Sequence, residues 1–242
     1  MDNSVYIALS GQLGVMRKMD ATANNLANVD TVGYHAEKMM FTDYLVDDGN
    51  RHKMAFSQDI SSYRVEQNGA IKVTGGKFDV AIDGPGFFSI ETPAGVRYTR
   101  AGNFKLNNDG ILVTTDNYPV LDDGGAEIAI PPEVREVTVG ENGAIRSDAG
   151  AELGQIGVAE FADPQELVRV SSQFYKTEQQ PLAAAESRVL HGALESSNVS
   201  PVQELVETTK LSRATSSSAK FIEVIYDLQR KTSNAYARQS PK

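Results

Sequence analysis

The first helix-like pattern in the chain is a run of apolar residues whose spacing alternates between four and three. Gln12 is the residue that interrupts this spacing. A repeat of this kind places apolar side chains on one narrow face of an α-helix, as in coiled coils. The pattern therefore predicts a helix from about residue 4 to about residue 27. Its apolar seam consists of Val5, Leu9, Met16, Met19, Ala23 and Leu26.

A second helix is predicted at the other end of the sequence. Ser200 precedes Pro201, and Gln203 follows three residues after the serine, which is the spacing of a capping box with proline at the first helical position. The last acidic residue is Asp227, and the basic residues that follow it suit a helix C-terminus. Apolar residues recur in steps of three and four with one phase shift, and we interpret them as a second seam: Val202, Leu205, Val206, Leu211, Phe221, Ile225 and Leu228.

Between these two segments apolar residues alternate with polar ones, and glycine, proline, asparagine and aspartate separate the short segments. Alternation is typical of β-strands with one buried face, and the separating residues are typical of tight turns. We therefore predict an all-β domain at residues 62–195. Residues 33–61 are polar apart from one apolar cluster around Phe41, so we interpret them as an extended connector.

The predicted fold class is α+β, with an all-β central domain flanked by N- and C-terminal helices that form a coiled-coil-like assembly core. The chain would divide into a core helix with a corner at 1–32, the connector at 33–61, the β domain at 62–195 and a C-terminal core helix at 196–242. Each helix carries a narrow apolar stripe, and an isolated helix of this kind is marginally stable in water. We expect the two helices to pair with each other, with identical neighbours, or with both.

Composition restricts the possible partners. The 242-residue chain has 32 acidic and 23 basic residues and a formal net charge of −9. This charge repels phosphate backbones, so we expect no nucleic-acid partner. No apolar run approaches the roughly 20 residues that a membrane span needs, so we expect no membrane span. The lack of cysteine excludes disulfides and thiolate metal sites.

The sequence contains no pattern that predicts a catalytic, cofactor-binding or metal-binding residue. The stretches NNDG at 107–110 and DDGG at 122–125 lack the ligand spacing of calcium loops and fit hairpin turns. The glycine-rich DGPGF at 83–87 is not followed by a helix, and it indicates a tight turn. No serine lies in a nucleophile-elbow sequence. The segment ATSSSAK at 214–220 fits either a weak, fraying helical stretch or a helix face of small residues that lets neighbours approach closely.

The segment at the end of the first seam is rich in asparagine. Asn24, Asn25 and Asn28 suit helix ends and turns, where amide side chains bond free backbone groups. Gly33 permits a backbone conformation that other residues resist. We predict that these four residues end the first helix and form a rigid corner that joins it to the connector.

Several sequence blocks, in a fixed order along the chain, resemble one protein family. They are ANNLANVDTVGY at 23–34, FDVAIDGPGFFSI at 78–90, YTRAGNFKLNNDGILVT at 98–114 with YPVL at 118–121, and LESSNVSPVQELVE at 194–207. Together they are similar to the bacterial flagellar rod and hook proteins, and they extend over almost the whole chain.

This resemblance implies a structural, non-enzymatic subunit of the flagellar basal-body rod. The short length and the opening MDNSVYIAL are most similar to the proximal rod members, and a distal rod or hook-type subunit is the alternative. The resemblance also implies export by the flagellar type III apparatus and helical assembly in the periplasmic rod, with other rod proteins and possibly identical subunits as partners. A cell-wall-acting enzyme would need a carboxylate pair or a nucleophile, and neither stands out in the sequence.

Overall fold

The computed structural model describes residues 3–47, 53–134 and 136–239. Within these ranges the chain is mostly β-structure, with a long helix near each end. The chain separates into two compact units. We name them the terminal unit, formed by Met1–Leu26, Glu37–Tyr63 and Ser200–Lys242, and the β unit, formed by Ala27–Ala36 and Arg64–Val199.

The terminal unit contains both helices. Helix α1 spans Asn3–Ala27 and helix α2 spans Pro201–Gln239, in agreement with the helices predicted from the apolar spacing. The backbone N–H of Glu204 donates to the carbonyl of Ser200 at 3.0 Å, which makes Ser200 the N-cap residue of α2. In the part of the chain that the structure describes, neither helix combines the length and the apolarity that crossing a membrane requires.

The terminal unit also contains two long strands where the sequence predicts an extended connector. Strand β1 spans Glu37–Asp47 and strand β2 spans Lys53–Arg64, and the two pair in one sheet. Phe41, Thr42 and Tyr44 favour strands, but neighbouring apolar residues hide the two-residue period in the sequence. Pairing gives hydrogen-bond partners to backbone groups that an unpaired segment would leave to water. The connector interpretation of residues 33–61 therefore misses a two-stranded sheet.

The β unit consists of short strands joined by tight turns, as the alternating pattern predicts. All the pairings in its sheets are antiparallel. Its strands are β3 (Ile71–Val73), β4 (Val80–Asp83), β5 (Phe87–Thr92), β6 (Gly95–Thr99), β7 (Lys105–Leu106), β8 (Leu112–Val113), β9 (Val137–Val139), β10 (Ala144–Ser147), β11 (Glu152–Gln155), β12 (Val158–Glu160), β13 (Val168–Arg169), β14 (Phe174–Lys176), β15 (Leu182–Ala183), β16 (Arg188–His191) and β17 (Ala193–Glu195).

These strands form one large sheet and several small ones. The large sheet has six strands in the order β13-β14-β6-β5-β12-β15, and a three-stranded sheet has the order β11-β10-β9. The remaining strands form the pairs β16-β4, β17-β3 and β7-β8. A 3-10 turn, Pro164–Glu166, precedes β13. The last strand before α2, β17, therefore pairs with one of the first strands of the β unit.

Two hydrophobic cores stabilise the β unit, together with a small cluster of Tyr34, Ala36 and Val199. In the smaller core the aromatic rings meet edge to face: the Tyr98 and Phe161 centroids are 4.8 Å apart, and those of Phe87 and Tyr175 are 5.7 Å apart. This geometry adds an electrostatic attraction between the rings to the burial of their surface. The buried members of the larger core are Val80, Ile82, Phe88, Ile90, Phe104, Leu112, Val120, Ile128, Ile130, Val137, Ile145, Ile156, Phe174 and Val189.

The turns NNDG and DDGG are closed by their own polar side chains. Asn107 Oδ1 accepts the backbone N–H groups of Asp109 and Ile111, each at 2.9 Å. Asp122 Oδ1 accepts the N–H groups of Gly124 at 2.8 Å and Ala126 at 2.7 Å. These oxygens therefore serve the local geometry of hairpin turns.

Candidate assembly helices and buried ion cluster

The apolar seam predicted on α1 lies largely at the surface of the terminal unit. Leu26 is half-buried, and the side chain of Val5 is outside the described residues. The exposed members are Leu9 (47%), Met16 (50%), Met19 (36%) and Ala23. This face of α1 is thus in contact with water in the isolated chain.

Leu13 contributes to the apolar surface of α1, although the predicted seam omits it. Its side chain is 49% exposed. It lies four residues after Leu9 and three before Met16, so it continues the spacing that Gln12 interrupts. The sequence therefore does contain an apolar residue for this turn of the seam, at position 13 instead of position 12, where the regular repeat places it.

The seam predicted on α2 is also mostly exposed. Leu211 is buried and Ile225 is half-buried. The structure adds Val224 and Tyr226, both more than half exposed, which widens the apolar surface beyond a single stripe. The exposed members of the predicted seam are Val202, Leu205, Val206, Phe221 and Leu228.

The small-residue segment at 214–220 is part of the continuous helix α2. Its hydroxyl groups bond back to the helix: Thr215 Oγ1 donates to the carbonyl of Leu211 and Ser216 Oγ to that of Ser212, each at 3.0 Å. Such bonds satisfy the hydroxyl within its own helix. Both interpretations made from the sequence place this segment on a helix, as the structure does.

A salt bridge joins α1 to α2 within the terminal unit. Lys18 Nζ lies 2.6 Å from Glu207 Oε1, and both side chains are about one-third exposed. The hydrogen bond from Lys18 lowers the pKa of the Glu207 carboxyl. Gln203, which the sequence predicts as the distal member of the capping box, is exposed and lines a groove of about 300 Å³ beside this ion pair, together with Asn25.

Asn25 has a different role from the helix-ending one that the sequence predicts. Asn24 and Asn25 lie inside α1, which continues to Ala27. The Asn25 side chain is buried, its Oδ1 accepts the backbone N–H of Glu37 at 2.9 Å, and its Nδ2 donates to the Glu37 carbonyl at 2.9 Å. The amide thus pairs with the backbone as a neighbouring strand would, and it fixes the start of β1 against α1.

The turn after α1 involves the other two predicted corner residues, both in the β unit. Asn28 Oδ1 accepts the Thr31 hydroxyl at 3.1 Å, and the Asn28 carbonyl accepts the Thr31 N–H at 3.2 Å. Gly33 has a φ of +66°, in the left-handed region that favours glycine. A Cβ at this position would lie 2.4 Å from the carbonyl carbon of Arg100. Gly33 is therefore required both by its backbone conformation and by the space available.

A fully buried carboxylate lies next to this turn. Glu195 Oε1 is 2.9 Å from His35 Nε2, and it accepts the backbone N–H of Gly69 at 2.9 Å. Its Oε2 accepts Arg100 Nε at 2.9 Å, and its backbone carbonyl accepts the N–H of Gly33 at 2.9 Å. Glu195 is 0% exposed, Arg100 1% and His35 3%. We call Glu195, Arg100 and His35 the ion cluster.

The ion cluster was not predicted from the sequence. Its members are separated by 65 and 95 positions along the chain, and each lies in a segment without a distinctive polar motif. Arg100 extends the cluster by donating to the carbonyls of Gly84, at 2.8 Å, and Gly86, and to Asn68 Oδ1 at 2.7 Å. Only the strand pairing brings these groups together.

The ion cluster has defined protonation states at neutral pH. Burial lowers the pKa of the His35 imidazole, although the hydrogen bond and the charge of Glu195 act in the opposite direction. Burial alone would raise the pKa of Glu195, but the hydrogen bond from His35 and the charge of Arg100 lower it overall. His35 is therefore neutral, with its Nε2–H donating to an ionised Glu195.

We predict that Gly33→Ala destabilises the β unit, because the added Cβ meets the backbone of Arg100. Gly75→Ala is the matched control, since Gly75 has a φ of +70° and no atom within 4 Å of its Cβ position. Gly75→Ala should therefore lose only the roughly 1 kcal/mol that the left-handed backbone conformation costs a residue with a Cβ. Gly33→Ala should lower the free energy of unfolding by about 1–3 kcal/mol more than the control, measured by urea denaturation. Equal losses in both variants would contradict the packing argument.

We predict that His35 makes the β unit sensitive to acid. A neutral buried histidine contributes stability above its ordinary pKa of 6.5, and this stability is lost as the pH falls through its lowered pKa. The slope from one such group is at most about 1.4 kcal/mol per pH unit. His35→Gln keeps a donor for Glu195 but does not titrate, so its free energy of unfolding should change less between pH 6.5 and pH 4.5. The exposed His191→Gln is the control, and a full wild-type slope in His35→Gln would exclude this role.

Three family models match separate parts of the chain. Residues 6–35 match a model described as flagella basal body rod protein, and residues 81–147 match the flagellar hook protein FlgE/F/G D1 domain. Residues 190–235 match the flagellar basal body rod FlgEFG protein C-terminal model. The first match contains most of α1 and its turn, and the last contains Glu195 and most of α2.

Individual relatives cover nearly the whole chain. The flagellar basal-body rod protein FlgF of Caulobacter vibrioides is 36% identical over 95% of this chain and 96% of its own length. FlgF of Mesorhizobium japonicum is 33% identical over 90% and 91%, respectively. The flagellar basal-body rod protein FlgG of Bacillus subtilis is 32% identical over 92% and 94%. The chain therefore belongs to the flagellar basal-body rod protein family, and it is a structural protein of the bacterial flagellar basal body.

Proposed function

We propose that α1 and α2 form a coiled-coil-like core of the assembled rod by packing against helices of neighbouring rod subunits. The observation that carries this proposal is the exposure of apolar side chains along both helices, while the β unit has hydrophobic cores of its own. Fully burying one such side chain stabilises an assembly by roughly 1.5–3 kcal/mol. Because the chain has several such side chains, their burial between subunits favours association over the monomer.

The spacing on each helix supports helical partners. Leu9, Leu13 and Met16 follow steps of four and three, and Phe221, Ile225 and Leu228 do the same on α2. This spacing keeps apolar side chains on a seam that faces a partner helix along its length. Lys18 and Glu207 provide a charged contact between the two helices, as charged residues do beside coiled-coil seams. Neighbours can be other rod proteins or identical subunits.

We further propose a position in the proximal rod. The FlgF relatives of Caulobacter vibrioides and Mesorhizobium japonicum match this chain at 36% and 33% identity and have almost the same length. A distal rod or hook-type subunit is the second candidate, because the FlgG protein of Bacillus subtilis is 32% identical over most of the chain. Labelling the subunit in purified basal bodies would separate the two positions.

Export through the flagellar type III apparatus into the periplasmic rod is part of the same proposal. The chain has no cysteine, so it can fold after export without forming a disulfide. Fractionation of a strain with an inactive export apparatus tests this step, since the subunit should then stay in the cytoplasm.

We also propose that the subunit has no enzymatic activity, because the buried Glu195 and His35 are engaged in holding the fold.

We predict that Leu9→Asp and Phe221→Asp prevent incorporation into basal bodies without changing the melting temperature of the purified chain. Both side chains are about half exposed in the monomer, so a carboxylate there stays hydrated until a neighbour covers it. Within an apolar contact the same charge adds a desolvation cost to the lost packing.

Val73→Asp is the matched control for these variants, because Val73 is an apolar residue of β3 that is 87% exposed. It should leave both the melting temperature and the incorporation unchanged. Quantification of each variant in isolated basal bodies provides the readout. Normal incorporation of both helix variants would reject the proposed role of the helices.

A further inference from the structure

A small cavity in the β unit lies beside the ion cluster. Its volume is about 50 Å³, and its walls include His35, Arg64 and Arg100. One water needs roughly 10–15 Å³ of such space, so the cavity has room for a ligand of a few non-hydrogen atoms. Glu66 and Pro85 also line it and are exposed, so a ligand can reach it from solvent.

Arg64 brings a buried positive charge to this cavity. It is 7% exposed, and its guanidinium lies 4.7 Å from the ring centre of Tyr175 and 5.5 Å from that of Phe87. Its Nη1 donates to the carbonyl of Leu167 at 3.3 Å, and its Nη2 donates to that of Pro164. Its Nε–H has no hydrogen-bond partner among the described residues. An unpaired charged donor at this depth is costly.

The carboxylates near the cavity are engaged elsewhere. Glu195 is shared by Arg100 and His35, and Glu66 Oε1 accepts Gln165 Nε2 at 2.6 Å. Within the described ranges Arg64 forms no ion pair with a carboxylate. Burial lowers the pKa of Arg64, while the charge of Glu66 acts in the opposite direction. The Nε–H of Arg64 is therefore a buried charged donor that none of these carboxylates accepts.

We propose that this cavity binds one small carboxylate group, with the Nε–H of Arg64 as its donor and Arg100 as a second nearby positive charge. Guanidinium and carboxylate groups match in charge and in planar geometry, and their hydrogen bonds are about twice as strong as neutral ones. A bound carboxylate would accept a hydrogen bond from this Nε–H and place a negative charge in direct contact with the Arg64 guanidinium. The group can come from a free ion such as formate or from an acidic side chain of a neighbouring rod subunit.

His35 couples this binding to protons. Its Nδ1, which is buried, has no hydrogen-bond partner among the described residues. The charged groups that face His35 are Glu195, Arg100 and Arg64, and the Arg169 guanidinium donates to the backbone carbonyl of His35. An anion in the cavity favours a proton on Nδ1, which then becomes a second donor. Carboxylate binding therefore strengthens as the pH falls from the ordinary histidine pKa of 6.5 towards the lowered pKa of His35.

The test is a formate titration of the ¹⁵N-labelled full chain, followed through the arginine Nε–H resonances. Sodium formate replaces sodium chloride at constant ionic strength, since chloride has no carboxylate group. The Arg64 resonance, identified by its loss in Arg64→Lys, should shift saturably and more strongly at lower pH. The resonance of the exposed Arg188 should not show saturation. An Arg64 resonance that does not move, or that moves only as all arginines do, overturns the proposal.

Thermal unfolding gives a second readout. Formate should raise the melting temperature of the wild-type chain and of Arg188→Lys, and it should have no effect on Arg64→Lys. An equal rise in all three would also contradict the proposal. If Arg64→Lys does not fold, the Arg64 resonance of the wild-type chain is identified by its through-space contacts with the Phe87 and Tyr175 rings, and the wild-type titration gives the result.

Incorporation into basal bodies separates the two sources of the carboxylate. If a free ion is the ligand, Arg64→Lys subunits assemble as well as Arg188→Lys subunits. If the ligand is an acidic side chain of a neighbouring subunit, Arg64→Lys subunits assemble less well while their β unit remains folded. Either assembly result is interpreted only after formate binding has been observed in the isolated chain. Because that binding is measured without any assembly, a failure of the helix-core proposal does not affect it.

Discussion

The buried carboxylate of Glu195 is the constraint on which the β unit depends. A buried charge is tolerated only when it is paired and hydrogen-bonded, and Glu195 obtains its partners from three distant segments, through His35, Gly69 and Arg100. Its backbone carbonyl also holds Gly33. These partners must be assembled together, because removal of any one of them leaves a charge or a polar group unsatisfied. The residues that follow α1 and those that precede α2 along the chain are thereby fixed to the same core.

This arrangement separates the two tasks of a rod subunit. The β unit has its own hydrophobic cores and pairs the buried charge of Glu195 internally, so its stability does not require a neighbour. The helices of the terminal unit instead leave apolar side chains in water. Polar contacts hold the elements of this unit together: Lys18–Glu207 joins the two helices, and Asn25–Glu37 joins α1 to β1. The partly exposed Lys18–Glu207 pair specifies geometry but contributes little energy. The apolar surface of the helices is thus available for association with other chains.

The sequence predicted the elements whose signal is local. Apolar periodicity located α1 and α2, and turn residues located the hairpins of the β unit. The pairing of β1 with β2 was missed, since a strand with adjacent apolar residues has no clear two-residue period. Asn25 was given a helix-ending role because its partner, Glu37, is twelve positions away. The ion cluster could not be predicted at all, since its members meet only through long-range strand pairing and a charged residue carries no sign of its burial.

Native-state hydrogen exchange of the wild-type chain tests the role of Glu195 most directly. The amides of Gly33 and Gly69 both bond to Glu195, whereas that of Val120 bonds to Leu112 in the main hydrophobic core. If the ion cluster joins these segments into one cooperative unit, all three amides should exchange with the same free energy of opening, that of unfolding the β unit. Opening of Gly33 and Gly69 at a much lower free energy than Val120 would show that the cluster is peripheral to the fold and would contradict this account.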